Sequence, residues 1–137
     1  MRKFFLSAVI SLVALITGHT QSKEIRANSD GDFAIRNKSV SLSVIMLGGR
    51  IVSFRHGNCE IITQGSEHVN FGSTLWLGPQ SNWGWPPYKT LDEEKYQALF
   101  STDSIYLKSQ PDTISGFQLT KSIRSDKKAN CFVITYT

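Results

Sequence analysis

The segment Ser39–Val44 reads SVSLSV and alternates strictly between polar and apolar side chains. Alternation places the apolar side chains on one face of an extended chain, which is the pattern of a half-buried β-strand. The residues that follow supply a glycine break, a second strand-like run, a hairpin connection and a third run: Gly48–Gly49, Arg50–Arg55, His56–Asn58 and Cys59–Thr63. The sequence therefore predicts three consecutive antiparallel strands between Val40 and Thr63.

Further short strands are predicted on both sides of these three, and turn-forming residues separate them. They are Glu24–Ala27, Phe33–Arg36, Ile105–Lys108, Phe117–Arg124 and Cys131–Tyr136, the last two as a hairpin. Residues 91–100 favour a single helical turn or an irregular loop, because the acidic residues 92–94 suit a helix N-terminus. Many short strands with little helix predict an all-β fold, an antiparallel β-sandwich.

The chain has 137 residues, a length that allows one domain, and its formal net charge is +4. Its basic residues are scattered, so the sequence predicts no nucleic-acid partner. Residues 1–22 combine a basic start, an apolar stretch at Phe4–Ile16 and a polar end. That order is typical of a secretory signal peptide, with an uncleaved membrane anchor as the alternative. We expect an exported protein, periplasmic or extracellular, with no membrane segment after cleavage and with residues 23–137 as its domain.

A candidate ligand site lies in Asn70–Tyr88, which holds all three tryptophans, three of the four prolines and three glycines. Glycine and proline are too dense here for a helix or a central strand, so a rigid aromatic loop is predicted. Aromatic rings cover the apolar face of a sugar, and amide side chains bond its hydroxyl groups. The predicted carbohydrate-binding residues are Gln80, Asn82, Trp83, Trp85 and Tyr88. In the competing interpretation the tryptophans close one end of the sandwich, and Trp76 is the tryptophan expected in the core.

Two stretches carry a resemblance to a known family. The hairpin GGRIVSFR at Gly48–Arg55 and GNCEII at Gly57–Ile62 resembles the opening hairpin of galactose mutarotase (aldose 1-epimerase)-like proteins. The run NFGSTLWLGPQSNWGWPP at Asn70–Pro87 is similar to an uncharacterised, exported bacterial branch of that superfamily. The resemblance covers residues 38–137. It implies a supersandwich-like fold of which this chain is the N-terminal half, truncated at its C-terminus.

The resemblance also implies carbohydrate binding in the manner of an aldose epimerase, with no metal and no cofactor. Mutarotation needs an acid and a base at the anomeric centre. The family's carboxylate lies further towards the C-terminus, and its histidine motif does not match His56 or His68. No catalytic residue is therefore assigned, and this chain alone is expected to be inactive. A second hypothesis is a non-enzymatic exported β-domain that associates with another protein chain through a strand edge.

The remaining chemistry-bearing residues have structural interpretations. Cys59 and Cys131 fall in predicted strands, where export permits a disulfide. Unpaired core cysteines are favoured, because strand position alone does not bring two sulfur atoms within bonding distance. Glu60 and Glu67 are expected to be surface residues without partners. His56, beside Arg55, is expected to be a solvated turn residue rather than a site for an anionic sugar.

Overall fold

The computed structural model describes residues 25–27, 31–62, 65 and 71–137. Several predicted features lie outside these residues: the leader at 1–22, the strand ends Glu24 and Thr63, Glu67 and His68. Within the described residues the chain is nearly all β, in two antiparallel sheets, and the predicted all-β sandwich-like fold is confirmed.

The first sheet contains five strands of the described chain in sequential order. They are β1 (Ile25–Ala27), β2 (Phe33–Asn37), β3 (Val40–Val44), β4 (Ile51–His56) and β5 (Cys59–Glu60). The predicted antiparallel run β3–β4–β5 is confirmed, with Leu42 opposite Phe54 and Arg55 opposite Glu60. The third strand is shorter than predicted, although the Ile61 amide still donates to the Phe54 carbonyl at 2.9 Å.

The second sheet is formed by four strands of the same described part, again in sequential order. They are β6 (Gln97–Phe100), β7 (Ser104–Lys108), β8 (Thr120–Asp126) and β9 (Cys131–Tyr136). The predicted β8–β9 hairpin is confirmed, and its register places Ile123 opposite Ile134. Both sheets are therefore built from neighbouring segments of the chain.

The helical prediction for residues 91–100 is only partly right. A one-turn helix, α1, spans Lys89–Asp92 and thus begins earlier than predicted. The following residues form strand β6, in which Ala98 lies opposite Leu107. Pairing with a buried neighbouring strand outweighs the weak local preference of this segment for helix.

The predicted strand at Phe117–Arg124 begins only at Thr120. Asp112 organises the preceding residues as a turn, because its Oδ1 atom accepts hydrogen bonds from the Ser115 amide at 2.6 Å and the Ser115 hydroxyl at 2.7 Å. Burial opposes the ionisation of Asp112, but these hydrogen bonds prevail and lower its pKa. Phe117 consequently lies in an exposed loop.

The core lies between the two sheets. It combines Ile35, Leu42 and Val44 of the first sheet with residues of the second and of the connection: Leu91, Tyr96, Ile105, Leu107 and Ile123. Ring contacts also join the sheets, with centroids 5.8 Å apart for Phe33 and Phe100 and 6.2 Å apart for Phe54 and Phe132. The alternating side chains that predict the strands are thus the ones that fill the core.

Lys121 is an unusual member of this interior, since it is 2% exposed. Its ammonium group donates hydrogen bonds to the carbonyl oxygens of Gly48 and Gly49, at 2.8 and 3.0 Å. Burial lowers the pKa of Lys121 to about 8, although the charge of Asp92 acts in the opposite direction. The side chain thereby ties β8 of the second sheet to the β3–β4 turn of the first.

The environments of the two cysteines and of Glu60 differ from those predicted. Both cysteines, Cys59 and Cys131, are free and exposed, so their predicted placement in the core is wrong. Each is the first residue of an outer strand of its sheet, among the strands described. Glu60 is half-buried rather than unpartnered, because it accepts hydrogen bonds from the Ser53 hydroxyl at 2.6 Å and the Phe54 amide at 2.8 Å. Burial opposes ionisation of Glu60, but the hydrogen bonds lower its pKa.

Candidate functional site

The aromatic loop is described from residue 71 to residue 88 and joins β5 to α1. Its centre is a short 3-10 helix at Gln80–Asn82, closed by hydrogen bonds from the Trp83 and Gly84 amides to the Gln80 carbonyl. Gly84 has a φ of +66°, a conformation that favours glycine. The loop therefore has the defined, non-repetitive backbone that its glycines and prolines predict.

Four aromatic rings of this loop form a contiguous group, which we call the tryptophan cluster: Trp76, Trp83, Trp85 and Tyr88. The Trp76 centroid lies 5.4 Å from that of Trp85 and 6.5 Å from that of Trp83, both in edge-to-face geometry. Tyr88 joins the group at 6.3 Å from Trp83. The structure thus brings together three of the five predicted sugar-binding residues, with Trp76 as the ring between Trp83 and Trp85.

Exposure divides the cluster into an inner and an outer part. Trp83 is half-buried and donates its indole N–H to the Leu77 carbonyl at 2.7 Å. Trp85 is 56% exposed, and Trp76 is 39% exposed. The prediction that Trp76 is the core tryptophan is therefore wrong. It precedes the turn of the loop without belonging to a strand, so nothing directs its ring between the sheets.

The two predicted amide residues, Gln80 and Asn82, are both exposed on the 3-10 helix. They shortly precede Trp83 and Trp85 in the chain, and their side chains are available to solvent. The space beneath the cluster is far smaller than a sugar. It amounts to about 10 Å³, room for about one water molecule, and is lined in part by Trp76, Trp83 and Tyr88. A sugar that contacts the tryptophan cluster is therefore expected on the outer surface of the cluster and not beneath it.

A buried carboxylate supports the cluster from below, and the sequence does not reveal it. Asp92, 5% exposed, accepts hydrogen bonds at Oδ1 from the Thr74 hydroxyl at 2.7 Å and from the Trp76 indole N–H at 3.2 Å. Its Oδ2 atom accepts one from Arg50 Nη2 at 2.8 Å. We call Arg50, Thr74, Trp76 and Asp92 the Asp92 network. It joins the end of the β3–β4 turn, the aromatic loop and α1, which are separate segments of the chain.

Arg50 is itself enclosed, at 5% exposed. Its Nη1 atom donates to the Phe71 carbonyl at 3.1 Å, and its guanidinium carbon lies 5.0 Å from the Phe71 ring centroid. Tyr96, also buried, donates its hydroxyl to the Leu91 carbonyl at 2.7 Å. Burial and the nearby charge of Asp92 raise the pKa of the Tyr96 hydroxyl. The buried polar side chains of Arg50, Asp92 and Tyr96 therefore all have hydrogen-bond partners within the protein.

Comparison of the chain with protein-family models, curated proteins and solved structures finds no match.

The described residues define two further limits. No group of three or more His, Cys, Asp or Glu side chains within them is arranged to hold a metal ion. Among the same residues, no helix has the length and apolar character needed to cross a bilayer.

His56, the last residue of β4, is exposed, and Arg55 beside it donates to the Asn58 carbonyl at 2.8 Å.

Proposed function

We propose that this chain binds carbohydrate without catalysis, on the outer surface of the tryptophan cluster. The observation that carries the proposal is the exposure of Trp85 on a loop whose other rings are anchored. Together with Trp76 it forms a contiguous exposed aromatic surface, and such surfaces beside polar residues often mark ligand-binding sites. Trp85 is the ring we assign to stacking against the sugar, and Gln80 and Asn82 are the side chains we assign to its hydroxyl groups.

The geometry of the rings sets the strength of this binding. The planes of Trp76 and Trp85 meet at 77°, so the two rings do not form one flat platform. One stacking contact and one or two hydrogen bonds at an open surface support only weak binding. We expect dissociation constants from millimolar to high micromolar, about 4 to 6 kcal/mol. Trp83 stays a predicted contact, although its indole N–H faces the loop backbone.

The leader-like residues 1–22 support export, which would place the binding surface in the periplasm or outside the cell. The two antiparallel sheets and the β4–β5 hairpin are compatible with the galactose mutarotase-like resemblance of the sequence. We therefore infer an exported protein of that superfamily. Its proposed role is recognition of a sugar, not its turnover.

Trp85→Ala is expected to weaken sugar binding at least about tenfold, because it removes the stacking ring. Its unfolding free energy should stay within about 1 kcal/mol of the native value, since the ring is mostly exposed. Titration of the three indole ¹H–¹⁵N signals with methyl glycosides of glucose, galactose and mannose measures the binding. Trp83→Ala, in contrast, is expected to destabilise the fold by about 3 kcal/mol, because its ring is half-buried. Phe117→Ala is the matched control, since it removes an equally exposed ring outside the tryptophan cluster, and it should leave the affinity unchanged. If none of the indole signals of the native protein shifts when any of these glycosides is added, the proposal is refuted.

A second candidate function is self-association through β9, and the character of that strand favours it. The strand carries no charged residue, is an outer strand among those described, and has Val133 and Ile134 exposed at 38% and 37%. Uncharged outer strands readily pair with further strands. Antiparallel pairing of two copies centred on Ile134 would place Phe132 opposite Tyr136, a favourable aromatic pair.

Ile134→Lys is expected to abolish this association, because it places a charge in the centre of the paired strands. Sedimentation velocity over a range of protein concentrations is the measurement. Leu99→Lys, on the other outer strand of the same sheet, is the control and should leave the native association unchanged. A native chain that stays monomeric throughout the range contradicts this candidate.

A further inference from the structure

Trp76 combines an exposed ring with a buried hydrogen-bond partner. Its ring is 39% exposed, yet its indole N–H is bonded to a carboxylate that is 5% exposed. A ring at the surface can reach water with its N–H group and rotate freely. In Trp76 that group is instead held from below. Its ring therefore has a fixed direction at the surface of the tryptophan cluster.

Asp92, which accepts this hydrogen bond, is itself held by several other groups. Both oxygens of Asp92 are engaged, by Thr74 at 2.7 Å and by Arg50 at 2.8 Å. The Asp92 amide donates to the Tyr88 carbonyl at 3.0 Å, which fixes the backbone of α1. An acceptor held on three sides cannot follow the movements of an exposed side chain. It therefore imposes a position on Trp76.

We propose that Asp92 is a positioning residue of the sugar-binding surface, which it orders by fixing the ring of Trp76. Trp76 in turn contacts Trp85, the stacking ring, at 5.4 Å. This inference rests on the carbohydrate-binding function proposed above. A ring that is already ordered loses less conformational freedom when a ligand binds, which raises affinity without any added contact. Asp92 acts on the sugar only through the two rings.

The sharpest test removes the indole N–H and leaves the ring. Replacing Trp76 with 3-benzothienylalanine does so, because sulfur takes the place of the N–H group in a ring of nearly the same shape. Affinity for the tightest-binding methyl glycoside should fall about two- to tenfold, because binding must then order a ring that the hydrogen bond no longer holds. Trp85 and the bonds among Arg50, Thr74 and Asp92 remain intact in this protein.

Asp92→Asn provides the second measurement. The native spectrum should show three indole signals, and the signal missing from Trp76→Phe identifies Trp76. In Asp92→Asn that signal should shift, and the glycoside affinity should fall by a similar factor. Ile123→Ala, which perturbs the core away from the loop, is the matched control. At a temperature where it is folded, its affinity should equal that of the native protein.

The outcomes separate this inference from the function on which it rests. If the native protein binds glycosides and both altered proteins bind them equally well, Asp92 does not position the surface, while the proposed function stands. If the native protein binds no glycoside, both proposals fail. An unmoved Trp76 signal in folded Asp92→Asn would also overturn the positioning role, whatever the affinity.

Discussion

Gly48→Ala is expected to destabilise the protein by about 4 kcal/mol or more, a large part of the stability of a small domain. Gly48 lies in the β3–β4 turn with a φ of +62°, where a side chain costs about 1–2 kcal/mol. Its alanine Cβ atom would also lie 1.9 Å from the Asp92 carbonyl oxygen, a rigid backbone atom. The turn and α1 would have to separate, which disturbs the hydrogen bond from the Gly48 amide to the Glu94 carbonyl.

The chain offers a matched control for this substitution. Gly57 lies in the β4–β5 turn with a φ of +58°, and a Cβ atom there meets nothing within 4 Å. Gly57→Ala therefore carries the conformational cost alone, about 1–2 kcal/mol. Urea unfolding of both variants, followed by tryptophan fluorescence, gives the difference. Equal decreases in unfolding free energy at the two positions would show that the close contact between the β3–β4 turn and α1 adds nothing to the cost of the Gly48 substitution.

The fold was predictable where local pattern and burial agree. The alternation in Ser39–Val44 predicts a strand with one buried face, and β3 buries Val40, Leu42 and Val44. The same argument fails for β6, because QALF has no clear alternation. Its strand character comes from pairing with β7, and the sequence of residues 97–100 does not reveal that pairing. Periodicity therefore identifies strands that define a face and misses strands that depend on a partner.

The sequence predicts which residue types form the candidate site but not how their side chains are arranged. Glycine, proline and tryptophan density identify an aromatic loop, because backbone limits and ring size are local properties. The direction of each ring is not local. Trp76 is held at the surface by Asp92, and Asp92 is paired with Arg50, which is 42 positions away in the sequence. Contacts over such separations depend on the assembled sheets, so the Asp92 network could be found only in the structure.

Arg50→Met is expected to cost about 3–5 kcal/mol, because it leaves the Asp92 carboxylate buried without its counter-charge. The Arg50–Asp92 pair is enclosed, with side chains 6% and 7% exposed. Water therefore cannot take over the role of the guanidinium. The loss of the hydrogen bond to the Phe71 carbonyl adds to the cost. Urea unfolding monitored by circular dichroism measures the change without relying on the tryptophan cluster.

Two comparisons separate the ion pair from the general loss of a long side chain. Arg55→Met removes the arginine of a looser pair, with Arg55 and Glu60 3.9 Å apart and the Arg55 side chain 45% exposed. That substitution should cost less than about 1 kcal/mol, because solvent screens the pair. In the double variant Arg50→Met with Asp92→Asn, neither member of the ion pair is left buried without the other. Its loss should therefore fall short of the sum of the two single losses by about 1–3 kcal/mol. Strict additivity would mean that Arg50 stabilises the fold by packing alone, and that the charge of Asp92 is balanced by other groups.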